Sequence, residues 1–150
     1  MVAFSGTDPR TITLTDATKI RGLGRILTND STDNTVIESG AATIAIGVSA
    51  GESSRDADHV LEAASATCSM FPLGGVLMVQ SEASKTYTVG CLVYAKANGL
   101  ASPTANSSKV LGIYVGTGQT IGAALLAPAN ESALTEGELI PVMTAGAATA

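Results

Sequence analysis

Hydrophobic and polar positions alternate most clearly across residues 87–115, YTVGCLVYAKANGLASPTANSSKVLGIYV. Val89, Cys91, Val93 and Ala95 fall on one face of an extended segment, with Leu92, Tyr94 and Lys96 on the other, which predicts a strand. Asn98-Gly99 follows, the dipeptide that best tolerates positive φ and the strongest short-range hairpin signal. Pro103 and the Ala-Asn-Ser-Ser run over 105–108 keep the next segment irregular, and VLGIYV over 110–115 closes the unit as a second strand. Further β-like runs stand at 11–15 (TITLT), 24–28 (GRILT), 43–48 (TIAIGV), 75–79 (GVLMV) and 137–142 (GELIPV), with a polar turn, NDSTDN, over 29–34. One short helix is predicted over 55–66. Ala57, Val60, Leu61, Ala64 and Cys68 recur at i, i+3, i+4, i+7 and i+11, Ser53 or Ser54 can cap it, and Asp56 and Asp58 suit its N-terminal dipole.

The runs repeat. Pairing Gly24 with Gly90, Gly47 with Gly112 and Gly75 with Gly137 gives offsets of 66, 65 and 62 residues, the near-constant spacing an internal duplication leaves. The alternative is that any Gly- and Val-rich β chain aligns to itself. The expected organisation is mainly β: an extended N-terminal arm over 1–19, a β-rich, barrel-like half over 20–84 carrying the helix, a related half over 85–144, and a flexible tail over 145–150.

Composition narrows what such a chain does. Of 150 residues 45% are hydrophobic, but there is no Trp and only five Tyr and Phe, so the core is built from small aliphatic side chains, which suit thin β layers better than a deep pocket. A net charge of −5 with only eight basic groups argues against nucleic-acid binding. Charge is uneven: residues 1–25 carry a net +2 through Arg10, Lys19, Arg21 and Arg25, and the remainder carries −7. That terminus reads either as a solvated, partly mobile segment or as an arm for an acidic partner surface. Cys68 and Cys91 match no metal motif and read as two reduced thiols, with a single bridge as the alternative. No signal peptide or membrane-length apolar run is visible, so the expectation is a soluble protein made in the cytoplasm.

Catalytic templates fail one by one. His59 and Cys68 on one helix would stand about 13 Å apart along its axis. Residues 116–122 read GxGxxxG rather than GxGxxG, with no ribose-binding acid downstream, so turn glycines explain them better. Glu136 and Glu138 flank Gly137 as ordinary exposed carboxylates, and the sequon-like triplets at Asn29, Asn106 and Asn130 read as turn chemistry. The expectation is a structural or binding protein, not an enzyme, with no cofactor and no metal.

Val89-Gly90, Val93-Tyr94, Asn98-Gly99, Val110-Leu111-Gly112-Ile113 and residues 137–142 together resemble bacteriophage head decoration proteins, the capsid cement proteins with a small β-barrel-like domain. The helix over 55–66 and the apparent doubling depart from a single-module pattern. The resemblance implies a virion protein on the outer capsid surface, bound to the major capsid protein and stabilising coat contacts, often as a homotrimer. In that role the terminal segment supplies the capsid contacts: Phe4 as an apolar anchor, Arg10, Lys19, Arg21 and Arg25 toward coat carboxylates, and Thr11, Thr13 and Thr15 on a strand that adds to a coat edge. A tail-associated β module of the phage is the alternative.

Overall fold

The computed structural model describes residues 10–14, 20–29, 35–40, 43–51, 67–105, 108–122 and 136–144. Five strands close the first barrel: β1 (Arg10–Leu14), β2 (Ile26–Asn29), β3 (Thr35–Glu38), β4 (Ala45–Ser49) and β5 (Thr67–Pro72), in the order β1-β3-β2-β4-β5. Next come β6 (Gly75–Glu82), β7 (Thr86–Tyr87), β8 (Leu92–Ala95), β9 (Ala101–Ser102), β10 (Val110–Tyr114), β11 (Gln119–Thr120) and β12 (Glu136–Thr144). Strands β6, β9, β8, β10 and β12 close a second barrel, while β7 and β11 pair with each other. The protein is mainly β, as its alternation predicts.

The two barrels share one wiring. In each, the first strand lies parallel to the third (β1 to β3, β6 to β9), and every other pair is antiparallel. Register agrees as well. Leu27 faces Gly47 in the first barrel and Val93 faces Gly112 in the second, and the ladder skips one residue just before each of these glycines. Across the next pair Gly47 faces Pro72 and Gly112 faces Thr144, so Met70 answers to Val142 and Phe71 to Met143. Hydrogen bonds outside the ladders repeat too: Gly24 N–H donates to Ser49 O and Gly90 N–H to Tyr114 O, both at 2.9 Å. A Cβ on Gly47 would meet the Phe71 carbonyl oxygen, and one on Gly112 the Met143 carbonyl oxygen. Only glycine lets the last two strands of each barrel close at the bulge.

Two of the three sequence anchors coincide with this equivalence, Gly24 with Gly90 and Gly47 with Gly112. The third does not. Gly75 opens β6, which holds the place of β1, whereas Gly137 lies in β12, which holds the place of β5. The break between the barrels therefore falls between Pro72 and Gly75 rather than at 84/85, because Gly75–Glu82 pairs with β12 and β9. Strand β1 is likewise part of a barrel and not of a free arm. The helix over 55–66 and the tail over 145–150 lie outside the described residues, but Cys68, assigned to that helix face, is in β5.

Inward positions follow the period of two. On β6, Leu77, Val79 and Ser81 are buried and their neighbours are half-buried, and Val93, Leu111, Tyr114, Ile140 and Val142 complete the second core. Leu27, Val36 and Met70 with Ile20 fill the first. Each such aliphatic side chain contributes about 1.5–3 kcal/mol on burial. Tyr87, the register partner of Gln119 across β7 and β11, is buried with its ring centroid 5.3 Å from that of Tyr114, its hydroxyl donating to Ala101 O (3.0 Å) and 2.8 Å from Ser81 Oγ. Asn98 (φ 61°) and Gly99 (φ 68°) occupy the left-handed region in the turn from β8 to β9, the hairpin expected of that dipeptide.

Candidate interaction surface

The barrels meet along a seam that starts from the turn before β2. Gly24 (φ +84°) brings its backbone onto the second barrel, where Gln80 N–H donates to Gly24 O at 2.8 Å. A Cβ at Gly24 would lie 2.5 Å from Leu139 Cδ2 and 3.0 Å from Gln80 N, so no side chain fits this approach. Arg25, 1% exposed, donates from its guanidinium to Asn98 O (2.9 Å). Ser39 Oγ donates to Lys96 O (3.0 Å), and Gly99 N–H donates to Ser39 O (3.1 Å). Beneath these bonds Ile26, Ala45 and Val48 join one apolar cluster with the core of the second barrel, and Phe71 packs against it. The seam thus has a hydrogen-bonded rim over an apolar floor, a combination that fixes relative orientation as well as contact.

Charge at its edge is balanced locally. Burial holds the Glu38 carboxyl above the usual carboxylate range, against the pull of the Arg21 and Arg25 guanidiniums and of the Arg21 backbone N–H, which donates to Glu38 Oε1 at 2.9 Å. Arg21 Nε lies 3.6 Å from Glu38 Oε2. Burial lowers the pKa of Arg25 from its ordinary value, and Glu38 acts in the opposite direction.

This arrangement revises the sequence-derived contact set. Arg25 is sealed in the seam and cannot meet a partner surface, and Arg21 is engaged with Glu38. Arg10, Thr11 and Thr13 belong to β1, whose backbone pairs with β5 from Arg10 to Thr13 and with β3 at Thr13 and Leu14, so much of the strand's pairing is taken up inside the first barrel. The sequence signal of positive charge near the terminus was real but partly internal in purpose. Phe4, Thr15 and Lys19 lie outside the described residues, as does His59. Cys91 is a half-buried free thiol. Residues 116–122 run from the turn after β10 through β11 and just beyond it, and the Tyr114 hydroxyl bonds Thr117 O and Gln119 Oε1 there. Among the described residues no group of three or more His, Cys, Asp or Glu side chains could hold a metal ion.

A surface that sequence reasoning missed runs across the outside of the second barrel. Leu92, Ile113 and Met143 are register partners on β8, β10 and β12 and are 46%, 36% and 47% exposed. Val76 continues the row on β6, and exposed Val89 and Val115 flank it. A signal was present: Leu92-Val93 and Val142-Met143 are apolar on both faces of a strand, whereas a strand with one solvated face alternates apolar with polar. No protein-family model matches this sequence, and the comparison with curated proteins returns no match either.

Proposed function

We propose that the protein is a non-enzymatic structural component of a bacteriophage particle, which binds the outer surface of an icosahedral capsid through the major capsid protein and stabilises contacts between coat subunits. The observation that carries this reading is the tandem of like-wired barrels locked by the seam. A rigid pair presents two related surfaces at a fixed separation, and a body of that kind bridges two neighbouring subunits of a lattice. Engaging the second site then becomes an intramolecular step with a high effective concentration. The motifs resembling head decoration proteins, from Val89-Gly90 to residues 137–142, all fall in the second barrel and its entrance, which accords with this role. Assembly as a homo-oligomer, a trimer by the family resemblance, multiplies the bridging.

With Arg21 and Arg25 engaged internally, the coat-facing part of the N-terminal stretch reduces to Phe4, Arg10, Thr15 and Lys19. The experiment is co-sedimentation with undecorated, expanded heads. Saturable binding at a fixed ratio to coat protein is expected, and a chain lacking residues 2–9 should bind more weakly while keeping its thermal unfolding. The deletion stops short of Arg10 because β1 is needed to close the first barrel. No saturable binding by the folded, full-length chain to an intact lattice would refute the reading.

A further inference from the structure

The internal contact between barrels is heterologous, since one face of the first barrel meets a different face of the second. On the first barrel the contact face comprises Gly24, Arg25, Ile26, Val48 and Phe71. On the second it comprises Met78–Gln80, Leu139 and the turn at Asn98-Gly99. Because the barrels share wiring and register, each also carries the counterpart of the face the other one uses. In the second barrel, Leu92 stands where Ile26 does, Ile113 where Val48 does, and Met143 where Phe71 does.

The two counterpart faces differ sharply in what covers them. Ile26 and Val48 are 0% and 1% exposed because the second barrel lies over them. Leu92, Ile113 and Met143 remain apolar and open. Gly90 repeats the backbone of Gly24 (φ +82° against +84°), yet among the described residues a Cβ there would meet nothing within 4 Å. A stacking face that is built, apolar and uncovered at the end of a repeat is where the next repeat docks.

We infer that the row Leu92, Ile113 and Met143 binds a second copy of this chain, through the face of that copy's first barrel equivalent to the one the second barrel uses internally. Register places that face at β1: Thr11 and Thr13 answer to Met78 and Gln80, and Thr67 to Leu139. The copies join head to tail. A heterologous contact repeated in this way closes into a ring if the rotation per step allows it, and otherwise grows as an open array. The inference does not depend on the capsid reading, because it concerns the chain's association with itself.

Light scattering after size exclusion tests it with the full chain. The wild type is expected above 15.0 kDa, at one discrete multiple for a ring or at a mass rising with concentration for an open array, and Leu92→Asp with Met143→Asp should weaken association about a hundredfold, given the apolar area withdrawn. Both side chains are exposed in the single chain, so circular dichroism of the variant should match wild type. Ile44→Asp, an exposed apolar position off the row, should leave the mass unchanged. A benzoylphenylalanine at position 92 should cross-link to residues 11–13 or 67 of another copy. A monomeric wild type at its highest soluble concentration would overturn the inference, as would an oligomer that survives the double substitution. Cross-links from 92 to residues 89–115 of the other copy would indicate a two-fold contact and overturn the head-to-tail geometry.

Discussion

Gly112→Ala tests the bulge that both barrels share. Gly112 lies outside the left-handed region, so alanine meets no backbone strain of its own. The obstacle is the neighbouring strand: the new Cβ would collide with the Met143 carbonyl oxygen and lie 2.9 Å from Met143 C and 3.0 Å from Val142 Cγ1, where ordinary contact begins at 3.4 Å. Backbone cannot rotate aside as a side-chain tip does, so β12 must retreat from β10 along the three register pairs that join them. Overpacking of this kind costs about 1–3 kcal/mol, and loosening the ladder adds about 1 kcal/mol per hydrogen bond lost. The expected loss is about 3–5 kcal/mol, a large share of a typical domain stability. Gly47→Ala meets Met70 side-chain atoms and the Phe71 carbonyl oxygen at 2.7 Å. Part of that obstacle is a flexible thioether, so the loss should be smaller, about 2–3 kcal/mol. Gly122→Ala, with nothing within 4 Å among the described residues, should stay within about 0.5 kcal/mol of wild type. Urea unfolding followed by far-ultraviolet circular dichroism gives all three values from one kind of curve. Gly112→Ala within about 1 kcal/mol of wild type, or no costlier than Gly122→Ala, would refute the close approach of β12 to β10.

Two further outcomes concern titrating groups. Tyr87→Phe should cost about 1–2 kcal/mol at neutral pH by leaving Ala101 O without its donor. Burial holds the Tyr87 phenol far above its ordinary value of 10.0 in the folded state. The unfolded chain therefore loses this proton first, and stability falls above pH 10 by up to about 1.4 kcal/mol per pH unit. Urea titrations at rising pH should show that fall diminished in Tyr87→Phe, and equal slopes in the two proteins would refute it. Glu38 runs in the same sense at acid pH: its folded value is raised above 4.5, so the folded state holds the proton longer and stability falls as pH rises from 4.5 through the folded value. Glu38→Gln, which cannot titrate, should gain on wild type in thermal unfolding between pH 4 and pH 7, and a constant or shrinking difference would contradict the burial argument.

The strands that alternation revealed were those whose two faces differ in environment or whose ends carry turn glycines, such as β6, β8 and β10. Strand β3 was hidden because Thr35-Val36 follows the polar run NDSTDN without a break, and β9 is only two residues long. Cys68 looked helical because Ala57, Val60, Leu61 and Ala64 lead up to it at helical spacing, but its place is decided by antiparallel pairing with Ile12, a contact 56 residues away that no local period encodes. The misplaced anchor has a similar origin. Gly75 and Gly137 both open a Gly-x-Leu segment, GVL and GEL, and local likeness cannot show that one segment begins its barrel while the other ends it. Basic residues near the terminus were legible as charge, but whether a guanidinium faces solvent or a carbonyl such as Asn98 O depends on which barrel covers it.

The equivalent faces differ in chemistry as well as in cover, and the difference matches what each has to do. In the seam, Arg25 supplies a charge-assisted bond to Asn98 O, and Ser39 bonds Lys96 O and Gly99 N–H. At the place of Arg25 the second barrel has Cys91, which donates no such bond, while the apolar row is kept. A contact made once, within one chain, can bury a guanidinium because its acceptor arrives with folding. A contact between copies must leave each free copy soluble and folded, and a buried charge lacking its acceptor would oppose that. Apolar side chains alone have no such penalty when uncovered. Beyond the row and the flanking Val89 and Val115, described exposed positions of the second half such as Thr88, Thr117, Thr120 and Glu138 are polar. The row on β8, β10 and β12 is therefore suited to a contact whose occupancy depends on concentration, beside a seam set permanently when the chain folds.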